Sequence, residues 1–540
     1  MVLRPTWLSF SMLVLLLGTV PTYGQVKDHV AALQAESAES NQNLWGYWGP
    51  DRNKYSTWTS HSNRLIPVYS FGCQLDAVAG SNSLYRNEQT LSELYGRLPT
   101  KTLNPAAEYF DQTDVYRLQK MAAEAGKKRI ILFVFDGMDW QTTRAAAIAK
   151  SREVTYDQGR GRGLHFQDYR GATTDFGFFV TSPHNEGTAI NVDRQIVTNP
   201  GGKIPGGYDA TRGGSTPWEP SDDMEYPIGR GEVDLHAYTD SAQSATSLCS
   251  GIKTYNDAIN VDFLGREVLP IARTLQTEGF AVGVVTSVPI SHATPACAYA
   301  NNVHRDDYQD LTRDLVGLPS VFHPGGVAGL DVLIGAGWGE GRDKDGNQGE
   351  NFVPGNRYLT AADENAIAVE NGGPYVVATR TVGQSGRELL DAAVQRAIDG
   401  SHRLFGYFGV AGGHLPFRTS DGDYQPVASV GNPETAKAEL YSPEDLNENV
   451  ELADMALAAV ELLDARSDRW WLMIEAGDVD WANHANNIDN SIGAVISGDN
   501  AFAAVAQWIE DNGGWDETVL ILTADHGHYL NIDKPEMLAH

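Results

Sequence analysis

Arg129-Ile130-Ile131-Leu132-Phe133-Val134-Phe135-Asp136-Gly137-Met138 is a β-prone apolar run that stops abruptly at Asp-Gly. An apolar run without polar alternation is the pattern of a strand buried on both faces, and the Asp-Gly turn is where such a strand opens into a loop. Further strands are expected at 280–285, 403–408, 470–474 and 518–522. Helical patterns precede them: 266–279 closed by Gly279, 387–398, a stretch starting at Ser442-Pro443-Glu444-Asp445 and running in stages to Asp464, and 501–511. In the last of these, Phe502, Val505, Trp508 and Ile509 share one face. Helix followed by strand throughout predicts an α/β fold with a mainly parallel central sheet and helices on both faces.

Before the run that alternation is lost. Residues 25–126 are polar and aromatic-rich around Trp45-Gly46-Tyr47-Trp48-Gly49-Pro50, and read as an N-terminal extension wrapping the main body, its aromatic side chains packed. Residues 127–540 then form one large domain with a long insertion at about 150–233 that has no clear period. Gly159-Arg160-Gly161-Arg162-Gly163 inside it lacks the strand-turn-helix setting of a dinucleotide site and reads as a flexible turn. Residues 1–24 read as a secretory signal peptide: Arg4 supplies the charge, Leu8 to Leu17 the apolar stretch, and Thr22-Tyr23-Gly24 the cleavage site. The expectation is export to the periplasm or the exterior, with no membrane span left after processing.

Forty Lys and Arg against 70 Asp and Glu give a formal charge of −30, and no basic cluster offsets it. A general nucleic-acid surface is therefore not expected. The three cysteines, Cys73, Cys249 and Cys297, have no CxxC spacing, so neither a disulfide scaffold nor a structural zinc site is indicated, while a single disulfide stays open.

Three expected strands end in acidic or histidine-rich turns: Asp136, Glu475 through His484, and Asp525-His526-Gly527-His528. The carboxyl edge of an open α/β sheet is where ligands bind. Asp525 with His526, and Asp480-x-x-x-His484, offer oxygen and imidazole nitrogen together, which suits zinc; the oxygen set Asp136, Thr294 and Glu475 suits magnesium. The run Tyr238 to Thr246 delivers Ser241 to the first turn of a helix, where unpaired amides and the helix dipole favour an anion. Alone, Thr239-Asp240-Ser241 is an ordinary helix cap.

Five motifs stand in order: Val134-Phe135-Asp136-Gly137-Met138; Thr239-Asp240-Ser241-Ala242-Gln243-Ser244-Ala245-Thr246, continuing to Gly251-Ile252-Lys253-Thr254-Tyr255-Asn256; His292-Ala293-Thr294-Pro295-Ala296; Ile474 to Asp480 with His484; and Thr523 to His528. On these the sequence resembles the alkaline phosphatases over most of Lys127 to Asn531. The resemblance implies a phosphomonoesterase with two Zn2+ and one Mg2+, acting on small phosphate monoesters through a phosphoserine and often dimeric. It implies Ser241 as nucleophile and zinc ligand, and Arg305 as the phosphate grip. Asp136 would bridge the magnesium site and the second zinc site, which Asp525 and His526 complete; Thr294 and Glu475 would finish the magnesium site, and Asp480 and His484 would belong to the first zinc site.

Two positions depart from the enteric form of the family, which has Asp and Lys where this chain has His292 and Trp481. Imidazole at 292 either joins the third metal site, tilting it towards a transition metal, or stands beside the ligands. Trp481 is expected to pack. The family also takes a third ligand of the first zinc site from a histidine well beyond the Asp-His pair, and here only His540 follows His528. A shortened chain or an incomplete site is the expectation, with His540 or another histidine as the alternative donor, and His528 outside the ligand set. A phosphodiesterase of the same superfamily, or an exported phosphate- or metal-binding protein with impaired turnover, are the competing readings. A sulfatase is disfavoured because no Cys-x-Pro-x-Arg or Ser-x-Pro-x-Arg run occurs.

Overall fold

The Ile130–Phe135 run lies inside a ten-stranded sheet. The computed structural model describes residues 28–230, 235–430 and 438–539; the expected leader and His540 fall outside them. In chain order the sheet strands are β1 (Ile66–Phe71), β2 (Phe110–Asp111), β3 (Arg129–Phe135), β4 (Thr174–Val180), β5 (Ala281–Pro289), β6 (Val332–Ala336), β7 (Tyr375–Thr379), β8 (Arg403–Tyr407), β9 (Trp470–Ala476) and β10 (Thr518–Thr523). Their spatial order is β7-β8-β6-β5-β9-β3-β10-β1-β4-β2. All adjacent pairs are parallel except β10 with β1 and β1 with β4, so β1 alone runs against the rest.

Every residue of β3, β5, β9 and β10 is buried, which is why they read as unbroken apolar runs rather than alternating ones. Successive side chains of a strand point to opposite faces, and the Trp470-Trp471 pair shows both faces covered. Trp470 meets Trp508 of helix Ile488–Asp511, and Trp471 donates its indole N–H to Gln119 of helix Thr113–Glu124 at 2.8 Å. Six helices bear on the site and its surroundings: α1 (His29–Ser40), α2 (Thr113–Glu124), α3 (Ser241–Ser250), α4 (Ala293–Cys297), α5 (Asp478–His484) and α6 (Ile488–Asp511).

Several boundaries differ from the sequence expectation. The helix expected at 266–279 is confined to Ile271–Thr277, because Pro270 sits at its N-cap and a residue before proline is driven out of the helical region. The helix expected from 501 begins at Ile488, where the Asn487 side chain caps it by accepting from the Asn490 amide. Residues 25–126 are more than a wrapping: β1 and β2 belong to the sheet itself, and β1 is inserted between β10 and β4. Pro67 inside Ile66–Phe71 disguises that strand, since proline argues against an interior strand. The 150–233 stretch likewise contributes β4. All three cysteines are free, so no disulfide forms.

The direction of β1 sets where its neighbouring chain goes. Its N-terminal end lies at the edge where the other nine strands end, and the chain leading into it continues the pairing, with the Ser62 amide donating to the Gly527 carbonyl at 2.7 Å.

Candidate active site

Along that edge the structure collects Asp136 after β3, Glu475 at the end of β9, Asp480 and His484 on α5, Asp525 and His526 after β10, Thr294 on α4, and Ser241 at the start of α3. The turn after β3 requires its glycine: Gly137 has φ +71°, and a Cβ there would lie 2.7 Å from the His528 ring.

The cap of α3 is Asp240, whose side chain accepts from the Gln243 amide, so Ser241 is the first residue inside the helix rather than the cap. Asp240 also holds Arg305, whose Nη1 donates to Oδ2 at 3.0 Å. Burial disfavours the guanidinium charge, but Asp240 outweighs it and raises the Arg305 pKa. One carboxylate thereby caps the helix and fixes the arginine beside its first residue. Ser241 is buried, and its Oγ lies 3.0 Å from His526 Nε2. Ser244, one turn on, donates to Asp525 Oδ2 at 3.3 Å, while the Gly137 amide donates to Oδ1 at 3.0 Å.

The carboxylates are crowded. Thr294 Oγ1 donates to Asp136 Oδ2 at 3.5 Å, and Thr286 donates to Glu475. Burial, followed by the charges of Asp480 and Glu475, drives the Asp136 pKa well up; burial and then Asp136 do the same to Asp525. Burial, against a Thr286 hydrogen bond, pushes Glu475 to about 8. Asp480 differs: burial opposes ionisation, but His484 and His528 overcome it and hold the carboxyl well below its usual range. Buried acids without a cation resist ionisation, which is the electrostatic setting of a metal site.

Two groups of side chains present donors within 4.8 Å of one another: Asp136, Asp480 and His526; and His61, Asp480, His484 and His528. The second group contains a residue that the sequence reading missed. His61 Nε2 lies 3.2 Å from His484 Nε2 and 3.7 Å from Asp480 Oδ1. It arrives there because the antiparallel β1 carries its leading residues to this edge. Two positions earlier, the Thr59 carbonyl accepts from His484 Nδ1–H at 2.6 Å, fixing the tautomer that leaves Nε2 free for a metal. His528 Nε2 lies 2.6 Å from Asp480 Oδ1 and orients that carboxylate.

The donor chemistry fits metal ions. Asp136 Oδ1, Glu475 Oε1, His526 Nδ1 and His528 Nδ1 are buried without a hydrogen-bond partner, and oxygen and imidazole donors are mixed as zinc prefers. His292 stands outside both groups. Burial and Arg305 lower its pKa to about 3, and its ring faces Trp481 at 5.8 Å. Trp481 meets His414 at 5.4 Å on its other side and forms a wall of the cleft. That cleft, of about 1110 Å3, opens over the cluster and is lined also by Arg305, Tyr308 and Arg357.

A family model described as Alkaline phosphatase matches residues 230–357 and 386–537, a little over half of the chain. Alkaline phosphatase 4 of Bacillus subtilis (strain 168) is 25% identical over 288 residues, 53% of this chain and 49% of that protein. Alkaline phosphatase of Escherichia coli (strain K12) is 28% identical over 309 residues, 56% of this chain and 60% of that protein. The matched region thus spans about half the length of the Bacillus relative. Among solved structures, the cold-active alkaline phosphatase of a psychrophilic Shewanella sp. is 19% identical, covering 74% of this chain and 68% of that one with a TM-score of 0.42.

Proposed function

We propose that this chain, which belongs to the alkaline phosphatase family, hydrolyses phosphate monoesters by passing the phosphoryl group first to Ser241 and then to water. The observation that carries this reading is the buried Ser241 hydroxyl at the N-terminus of α3, 3.0 Å from His526 and beside the Asp240-held Arg305. Arg305 would take two oxygens of the phosphate, a bidentate contact that recognises the dianion and leaves the alcohol free to vary. The first-turn amides of α3 would meet the same oxygens.

Ser241 Oγ would attack phosphorus in line with the ester oxygen: the Oγ–P bond forms, the P–O ester bond breaks, and the leaving alcohol takes up a proton. Water then displaces Oγ from phosphorus, releasing phosphate and restoring the serine. Zinc ions, when bound, would lower the pKa of the serine hydroxyl and of water and stabilise the departing oxygen.

For these ions, His61, Asp480 and His484 suit the first position; Asp136, Asp525 and His526 the second; and Asp136, Thr294 and Glu475 a magnesium. His61 supplies the donor that the reading of an impaired metal-binding protein takes to be missing. The Arg4 to Gly24 leader pattern supports export, and among the described residues no helix is long and apolar enough to cross a membrane.

Ser241→Ala tests the nucleophile. Metal-saturated wild type incubated with labelled phosphate and quenched in acid should retain covalent label, and the variant should retain neither label nor aryl phosphate turnover; turnover that survives in the variant would sink the assignment.

A further inference from the structure

Arg305 suits the phosphate and says nothing of the alcohol, which must lie against whatever lines the cleft around it. That lining is a continuous band of rings. Phe417 lies 4.5 Å from His414, His414 5.4 Å from Trp481, and Trp481 5.8 Å from His292, centroid to centroid. His292 is parallel to Tyr308 at 6.5 Å, and Tyr308 meets Tyr358 edge to face at 5.0 Å. All of these line the same cavity of about 1110 Å3 as Arg305. The band also begins beside the phosphate grip: Tyr308 opens the helix Tyr308–Val316 three residues after Arg305, and Trp481 follows Asp480 on α5.

The polar groups among the rings are largely tied to one another. Tyr308 donates its hydroxyl to Asp306 at 2.8 Å, and Arg342 donates to Glu340 at 2.6 Å. His414 Nε2 stands 3.1 Å from Glu439 while its Nδ1 lies 2.6 Å from the Leu415 carbonyl. Arg357 donates to Asp345 at 3.0 Å and holds its guanidinium 4.8 Å from the Tyr308 centroid. Ring faces and edges, with one stacked cation, are thus what the cleft offers a ligand. Aromatic pairs attract beyond the area they bury, because the negative face of one ring meets the positive edge of another, and a guanidinium adds to this. A saturated ring of the same size has no such quadrupole.

We propose that the cleft selects aryl phosphates, monoesters whose ester oxygen is bonded directly to an aromatic ring, and that Trp481 is a specificity-determining residue for that ring. The inference rests on the monoesterase reading of Ser241 and Arg305. Direct attachment follows from where the band begins, since a ring one bond from the ester oxygen reaches side chains that adjoin Asp480 and Arg305. An alkyl phosphate would bring a flexible chain that loses rotor freedom and gains no ring contact in return.

Phenylphosphonate and cyclohexylphosphonate carry the same anion on rings of similar size, and neither is hydrolysed. Isothermal titration of each into the full chain loaded with zinc and magnesium gives the ratio of their dissociation constants. Wild type should bind the phenyl compound about 2- to 10-fold more tightly, the scale of an aromatic pair contact. Trp481→Leu should lose most of that preference and Trp481→Phe should keep it; damage to the metal sites would weaken both ligands together and leave the ratio unmoved. If Trp481→Leu folds poorly, the wild-type ratio decides. A wild type indifferent to the ring, or an unchanged ratio in Trp481→Leu, overturns the proposal and leaves the phosphoserine test on Ser241 untouched. Binding of neither phosphonate overturns the proposal and the monoesterase reading together.

Discussion

His61→Ala should separate metal-free from metal-loaded behaviour. The imidazole stands 4.1 Å from the His526 ring, 4.8 Å from His484 and 5.3 Å from His528, and burial followed by His526 and His484 holds its pKa well below normal. The metal-free protein would therefore lose an uncharged ring from a crowd of like groups, and should change in stability by about 1 kcal/mol, the ordinary scale for a point substitution. Zinc changes the comparison. Disturbing a group that only orients a metal ligand already costs ~10–100-fold in affinity, so loss of a ligand should cost at least ~100-fold, or about 2.7 kcal/mol. At free zinc ~100 times the wild-type Kd, zinc stabilises the wild type by about 2.7 kcal/mol and a site weakened 100-fold by about 0.4 kcal/mol. Thermal melts in zinc-buffered and chelated solution measure both states, and chelator competition gives the affinity. Aryl phosphate turnover should fall in parallel and recover with excess zinc. Unchanged zinc affinity, or equal destabilisation with and without zinc, would refute the assignment of His61 as a ligand.

Arg305→Lys replaces a planar fork by a point charge; losing one charge-assisted hydrogen bond, worth ~1.5–3 kcal/mol, should lower kcat/KM by about 10–100-fold and weaken inhibition by inorganic phosphate in step. Steady-state kinetics with phosphate as inhibitor would contradict this if the inhibition constant stayed put. A pH effect is expected away from the metals, at the fully buried Asp114 of α2, which burial and then Asp111 raise to about 6 against the pull of Arg117. An acid raised in the folded state stabilises below its unfolded pKa of about 3.9 and loses that contribution as pH rises through about 6. Asp114→Asn, which mimics the neutral acid and faces the same Asp111, Arg117 and Lys253, should therefore gain on wild type by about 2 kcal/mol between pH 4 and pH 7. Urea unfolding of both proteins at the two pH values checks it, and a difference independent of pH would contradict the account.

Much of the main body is legible in the sequence because its strands are buried on both faces and its motifs sit at their ends. Ile130 to Phe135 can only be a buried strand or a buried helix segment, and the Asp-Gly after it, with repeated helix-strand alternation, selects a parallel sheet. Asp136, Asp480, His484, Asp525 and His526 are recognisable since each lies within a short motif whose spacing expresses its chemistry. His61 has no such context. It is one histidine in Thr59-Ser60-His61-Ser62, in a polar stretch before a strand interrupted by Pro67, and no local pattern ties it to residues more than four hundred positions away.

The amino-acid sequence by itself therefore determines the class of sheet, the edge where chemistry gathers and the identity of most donors, since periodicity and local motif are properties of neighbouring residues. Tertiary structure alone decides which strand direction delivers His61 to that edge. By running against nine parallel neighbours, β1 presents its beginning where they present their ends, and His61 from the chain leading into it meets Asp480, His484 and His528.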